Sequence, residues 1–424
     1  MDTLTYEEIF GRLVQAAYRG NIGTEIAKIK STDQAYINEY IHYALGQGDL
    51  NKVVFKVDSC DGECSENEHN CEAACLFNAI VRDMEGNVMI QDRNCTHCGR
   101  CIETCSLHRL VDKKEFIPLV DLLKSKEVPV FAIVAPAIIG QFGEDVTMGQ
   151  LRIALKHLGF YGMVEVALFA DILSLKESLE FDIHVKTDKD FVLTSCCCPV
   201  WINMVKKVYN TLVPHISPSV SPMVACGRGI KRLHPEAKVV FIGPCIAKKA
   251  EAKEKDIRDA VDAVLTFEEL HQIFDATGIV PSAMEDVPSE HSSLGGRIYA
   301  RTGGVSKSIA DTLNRLRPEK SVKIKAIQAN GVKECKALLN TILENEITAN
   351  FYEGMGCVGG CVGGPKAVLS TEEGTKRVNN YGKEAHAPTA ADNFYVLHLL
   401  QELGIHSVEE LLKGEAAEIF HRKL

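Results

Sequence analysis

A chain of 424 residues with 46% hydrophobic content can hold two or three domains and bury a sizeable core, which excludes a disordered polymer. Its net charge of −10, with no concentrated Lys/Arg run, excludes nucleic acid as a partner, because phosphate recognition needs a basic surface. No stretch approaches the roughly 20 apolar residues of a membrane span, and the opening MDTLTYEEIF lacks the basic-then-apolar order of a secretory signal, so a cytoplasmic location is expected.

In chain order, two amphipathic helices are expected over 5–19 and 32–46, separated by the turn-like Gly20-Asn21-Ile22-Gly23. They carry no chemistry and read as a packing cap or docking element, an N-terminal helical extension over 1–51. Residues 52–112 form a cysteine module with few long apolar runs, as expected where metal bonds replace a hydrophobic core. Beyond it, β-rich runs at 128–134 and 238–243 alternate with helical stretches near 148–158, 168–179, 199–210, 303–316 and 389–402. That alternation predicts an α/β fold with largely parallel strands over 113–370, followed by a C-terminal helical region over 371–424 that packs on it. Residues 282–296, containing SEHSSLGG, are the expected long loop.

Sixteen cysteines in a reducing compartment are poor disulfide candidates, and their clustering points to metal ligation. Cys95, Cys98, Cys101 and Cys105 stand in a C-x2-C-x2-C-x3-C run, in which one loop wraps three corners of a cubane while the fourth thiol reaches elsewhere. Cys60, Cys64, Cys71 and Cys75 form a looser C-x3-C-x6-C-x3-C set. A pair of structural zinc sites is the competing reading, and the run ending in a fourth cysteine fits clusters better.

Three further segments are TSCCCPVW (194–201), GPCIAKKAE (243–251) and EGMGCVGGCVGGP (353–365). Each sits where an expected strand gives way to a turn or helix, the usual place in α/β domains for residues to converge. The histidines are spread singly without metal spacing, and Cys226 and Cys335 lack partners at ligand spacing, so both read as small buried hydrophobes.

Over roughly residues 52–370 the chain resembles the [FeFe]-hydrogenases, whose three signature segments these are, in order. The resemblance implies a hydrogenase-type catalytic domain of two largely parallel βα lobes around the H-cluster, preceded by a 2[4Fe–4S] ferredoxin-like α+β domain. By similarity to two-cluster ferredoxins the ligands cross over, Cys60, Cys64, Cys71 and Cys105 to one cluster and Cys95, Cys98, Cys101 and Cys75 to the other. Ser106 replaces the usual proline after the fourth cysteine. The H-cluster, a [4Fe–4S] cube joined to a diiron subcluster with CO, CN and a bridging dithiolate, would be held by Cys198, Cys245, Cys357 and Cys361, the last as the bridge.

The same resemblance assigns Lys248 to a cyanide, lines the opposite side with Ala135 and Pro136, and packs Met355 against the diiron unit. Glu251 matches a family glutamate bonding near the cluster. Gly243 stands where the family has a methionine, so that side of the pocket is expected to be less filled. The relay would run Cys197–Glu177–Ser217–Glu180, with Cys197 as acid/base; taken alone, Glu177-x-x-Glu180 reads as a solvated helix face. Departures from the family pattern are GGPK after Cys361, Cys196 in a serine place, and Met223 where many members carry glutamine, a pattern that resembles its divergent, sensory-type branches.

The implied activity is interconversion of protons plus electrons with H2, with an electron carrier such as ferredoxin as redox partner and maturases to install the diiron unit. A homo-oligomer is compatible with it. Two alternatives stand beside it: an H2 sensor using the same cofactor at low turnover, and an iron–sulfur scaffold lacking the diiron unit.

Overall fold

The structure, a computed structural model, describes residues 4–32, 34–50, 52–57, 70–84, 86–187, 189–289 and 291–423. Three helices open the chain, Tyr6–Arg19, Ile22–Lys30 and Ile37–Ala44, where two were expected. Gly20, at φ 74°, ends the first helix in the left-handed conformation that glycine adopts without strain. The second helix starts at once, because Ile22, Ile26 and Ile29 recur at helical spacing and pack against the main core.

The cysteine-rich segment contributes β1 (Val54–Lys56), β2 (Ile80–Arg82), β3 (Val88–Ile90) and β4 (Leu110–Asp112), with short helices at Asn70–Ala74 and Arg100–Glu103. β1 pairs antiparallel with β4, and β2 with β3, an α+β arrangement of two small ribbons. β1 and β4 are largely buried, while β2 and β3 each bury one residue. The local core is Ile80, Val88 and Leu110 ringed by Cys71, Cys75, Cys101 and Cys105.

The rest of the chain builds two parallel sheets. β5 (Val130–Val134), β6 (Gly162–Glu165), β7 (Val192–Leu193), β8 (Lys238–Gly243), β9 (Ala263–Thr266), β10 (Ala326–Asn330) and β11 (Phe351–Met355) assemble in the orders β6-β5-β8-β9 and β10-β11-β7. All pairings within these two sheets are parallel, which the α/β reading anticipates. The near-continuous apolar runs of β5 and β9 are buried throughout, as expected for strands covered by helices on both faces. The helix Val166–His184 is buried along most of its length and separates the two sheets' cores, touching the helices Pro222–Leu233 and Gly304–Leu316.

The C-terminal helices Thr371–Lys383 and Phe394–Glu402 and the turns after them feed Val378, Val396, Leu400, Leu411 and Phe420 into the first lobe's core. Among the described residues, no helix is long and apolar enough to cross a membrane.

A buried network of four charges ties three parts of the chain together. Lys249 Nζ donates to Asp112 Oδ2 at 2.6 Å, to Glu269 Oε1 at 2.5 Å and to the Lys113 carbonyl at 2.8 Å. Lys114 lies 3.4 Å from both carboxylates, and its ammonium stands over the rings of Tyr6 and Phe10 on the first helix. Burial works against the Asp112 carboxylate, and Lys114 and Lys249 outweigh it, holding Asp112 well below the usual carboxylate range. Lys249→Met leaves two buried carboxylates sharing Lys114 and should cost about 3–5 kcal/mol. Urea unfolding reads this as a lower midpoint; an unchanged midpoint contradicts it.

Candidate metal centre and proton route

In open α/β sheets, sites form outside the carboxyl ends of the strands. Here the register aligns Val134 of β5 with Ile242 of β8, so Ala135-Pro136 and Gly243-Pro244-Cys245 leave the first sheet side by side. In the second sheet β7 and β11 run parallel, and Thr194–Cys198 and Met355–Cys361 leave it at the same end. The two sheets thus present Cys198, Cys245, Cys357 and Cys361 to one place.

Cys198 caps the helix Pro199–Val208, whose first position is a proline preset for a helical start. Its Sγ accepts the Gly356 N–H at 3.3 Å. Close approach is required there: a Cβ on Gly356 would fall 2.6 Å from Val200, and one on Gly354 2.1 Å from the Trp201 ring. Trp201 in turn donates Nε1 to the Thr194 carbonyl at 2.9 Å, fixing the loop before the helix.

Burial pushes the Cys245 thiol up to about 12, and the charges of Cys361 and Cys198 add to it while Lys248 opposes. Cys361 rises to about 11 for the same first reason, with Cys198 raising and Lys248 lowering. Cys357 rises well above the usual thiol range through burial and then Cys245, Cys198 and Cys361. The charge of Cys198 is felt at all three of these thiols, that of Cys361 at Cys245 and Cys357, and that of Cys245 at Cys357, which places the four around one half-buried pocket. Such a set fits an iron–sulfur cube: soft thiolates need a cationic centre to ionise together where water is excluded. Among the described residues no three His, Cys, Asp or Glu side chains converge closely enough to hold a single metal ion.

Lys248 is buried, and its Nζ lies 2.5 Å from Glu251 Oε2. Burial disfavours this ammonium, yet Glu251, Cys245 and Cys197 outweigh it and raise its pKa. Glu251 is therefore the partner of Lys248 in this structure. Met355, at the end of β11, is buried with Cys197, Tyr299 and Val305. At Gly243 the expectation of a less filled pocket is corrected: a Cβ there would fall 2.6 Å from the Phe241 ring and 3.2 Å from Ala135 Cβ, so Phe241 takes the room.

In the cysteine-rich segment, Cys60 and Cys64 lie outside the described residues. Cys75, Cys95, Cys98 and Cys101 ring one small cavity. Burial raises Cys95 to about 11, with Cys98 and Cys75 among its charged neighbours. Cys71 and Cys105 share the neighbouring apolar cluster. This segment docks firmly. Lys207 donates to the Cys95 carbonyl at 2.6 Å, and a Cβ on Gly99 would fall 2.5 Å from Ile246, the residue after Cys245. The charge of Cys98 is felt at Cys357.

Three successive thiols take three directions. Ser195 adopts φ 69°, a left-handed turn rare for a residue with a side chain. After it, Cys196 Sγ donates to Glu177 Oε1 at 3.1 Å, Cys197 faces Cys361 and Cys198, and Cys198 takes the Gly356 N–H. The expected direct step from Cys197 to Glu177 is corrected accordingly, since Glu177 accepts from Cys196 and, at 2.5 Å, from Thr194 Oγ1. Burial, and then the charge of Glu180, push Glu177 up to about 7. Ser217 Oγ donates to Glu180 Oε2 at 2.6 Å. Glu177, Glu180 and Ser217 line one cavity of about 590 Å³ together with His184 and His215.

Residues 128–365, more than half of the chain, match the family model described as iron only hydrogenase large subunit, C-terminal domain. The chain belongs to this hydrogenase family. It is 29% identical to Iron hydrogenase 1 of Clostridium pasteurianum over 304 residues, which is 60% of this chain and 53% of that protein. It is 27% identical to the periplasmic [Fe] hydrogenase large subunit of Nitratidesulfovibrio vulgaris over 309 residues, covering 61% and 73%. A probable cytosolic Fe–S cluster assembly factor of Aedes aegypti is 23% identical over 351 residues, covering 67% and 73%. The chain thus spans about half the length of the first of these relatives.

Among solved structures, an [FeFe]-hydrogenase superposes with a TM-score of 0.58 at 22% identity, covering 72% of this chain and 97% of that one. A variant of the Chlamydomonas reinhardtii [FeFe]-hydrogenase gives 0.56 at 20%, covering 72% and 97%. These two show the shared fold. Membership in the hydrogenase family together with the cysteine clusters supports iron–sulfur binding.

Within this hydrogenase fold, sequence reasoning passed over Lys176, Thr194, Tyr299 and Phe241. Lys176 carried a usable signal, since it precedes Glu180 by four residues on one helix. Cys226 and Cys335 are buried; Cys335 Sγ donates to the Met355 carbonyl at 3.4 Å.

The raised pKa of Glu177 links its proton to folding. The folded chain holds this proton more tightly than the unfolded one, so the stabilisation is complete below about pH 4.5 and is lost as pH rises through about 7. Glu177→Gln should remove a pH-dependent term on the order of 2–3 kcal/mol across that window. Urea midpoints measured from pH 4.5 to 8 test it, and parallel profiles for the two chains contradict it.

Proposed function

We propose that the chain interconverts protons and electrons with H2, 2H⁺ + 2e⁻ ⇌ H2, as a divergent [FeFe]-hydrogenase. The observation that carries this reading is the meeting of Cys198, Cys245, Cys357 and Cys361 in one half-buried pocket beside a buried lysine and a buried thiol, Cys197. Cys198, Cys245, Cys357 and Cys361 would hold the cube of an H-cluster, and Lys248, Met355, Ala135 and Pro136 would border its diiron unit. When bound, that group supplies the redox-active metal site for proton–hydrogen chemistry. Lys248 offers a donor that suits an anionic cyanide, a buried ammonium, while Glu251 keeps it charged and oriented.

Cys75, Cys95, Cys98 and Cys101 would hold one delivery cluster, and Cys60, Cys64, Cys71 and Cys105 the other. The packing of Gly99 on Ile246 brings the delivery thiols beside Cys245 and Cys357. On the proton side, Cys197 would be the last acid/base, with Cys196 and Glu177 behind it. A carboxyl group that titrates near neutrality can both take and return a proton at working pH. Ser217 can donate and accept, and the cavity it shares with Glu177 has room for bridging water between their polar groups. The proposed boundaries are 1–51 for the helical extension, 52–112 for the ferredoxin-like domain, 113–370 for the catalytic domain and 371–424 for the C-terminal helices.

The match to a cytosolic assembly factor favours a second reading, a scaffold that holds cubes without the diiron unit. Infrared spectra after co-expression with maturases separate the two. The hydrogenase reading expects CO and CN bands and H2 evolution, with Cys197→Ala lowering the rate by about 10²–10⁴-fold. A fully iron-loaded chain without those bands contradicts it.

A further inference from the structure

Lys176 and Glu180 stand one turn apart on the helix Val166–His184, and Lys176 is fully buried. Lys176 Nζ donates to Glu180 Oε1 and, at 2.8 Å, to Ser219 Oγ. The other carboxylate oxygen accepts from Ser217 Oγ at 2.6 Å, and Ser217 bonds Ser219 at 2.9 Å. The four side chains close a ring in which both oxygens of Glu180 are taken by donors.

Other charges face this ring from every side. Glu177 lies on the same helix, and burial and then the charge of Glu180 raise its pKa. His421 of the C-terminal segment feels both Lys176 and Glu180. The shared cavity adds His184, Lys189, Asp190 and His215. None of these replaces Lys176, which alone among the described residues touches Glu180 Oε1.

A proton that lands on Glu180 neutralises it and strands the Lys176 ammonium in the interior, which is strongly unfavourable for a buried ion. A relay glutamate works only if it can change charge cheaply. We infer that Lys176 is a positioning residue that pins Glu180 as a carboxylate and so throttles proton passage from the cavity toward Glu177. This rests on the relay proposed above, and it gives the chain a slow proton route by construction. Glu180 adjoins a solvent-facing cavity, so it remains hydrated when Lys176 is removed.

The test uses the full chain in two arms. In the unmatured chain, infrared difference spectra on acidification should show a new protonated-carboxyl band in Lys176→Met that is missing from the wild type and removed by adding Glu180→Gln. In the matured chain, Lys176→Met should evolve H2 severalfold faster with a smaller H2O/D2O rate ratio, and Lys176→Arg, which keeps a cation, should show no acceleration. A Lys176→Met chain without the carboxyl band overturns the pinning. The band with an unchanged or lower rate overturns the throttle. Absence of H2 evolution from every matured chain defeats the hydrogenase reading instead, and the infrared arm still decides the role of Lys176. Iron content reports folding, and Lys176→Gln serves if the methionine chain loses its iron.

Discussion

Four thiols from three distant segments share one half-buried pocket, where burial makes them costly to ionise side by side. Burial raises every one of them, and the charge of Cys198 further raises the other three. Positive charge at their centre would let them ionise together, and that is what the proposed iron–sulfur cube would supply. The fold makes that meeting possible: the segments bearing these cysteines follow the carboxyl ends of strands in two parallel sheets, and glycines at 354 and 356 let Trp201 and Val200 close within van der Waals reach.

The buried network around Lys249 extends the same constraint outward. Lys248 and Lys249 are adjacent on one short helix and point to opposite tasks, one toward the cluster thiols through Glu251, the other toward Asp112 and Glu269. Through Asp112 the network reaches β4 of the cysteine-rich segment, and through Lys114 it reaches the rings of the first helix. The N-terminal helices are thereby part of the structure that positions the segment bearing Cys245, which is more than a cap over an apolar face.

Legibility followed the range of the interaction. Local spacing made Cys95, Cys98, Cys101 and Cys105 readable, and strand patterns placed β5 and β8 and the helix Met148–Leu158 within a residue or two. What could not be read was direction. Cys196, Cys197 and Cys198 are consecutive, and which of them meets Glu177 depends on the left-handed turn at Ser195, a conformation that no spacing announces. Phe241 covering Gly243 likewise depends on two residues of one strand sharing a face beside Ala135, a matter of packing rather than motif. The helix Ile22–Lys30 was missed because a glycine-bearing stretch looked like a connector, while its isoleucines already held the helical interval.

The central claim is that Cys198, Cys245, Cys357 and Cys361 bind a single metal cluster. Anomalous diffraction at the iron edge from crystals of the iron-loaded chain examines it directly. A compact iron density bonded to all four of these sulfurs is the predicted result; iron confined to the cysteine-rich segment, with these thiols unligated, would contradict the account.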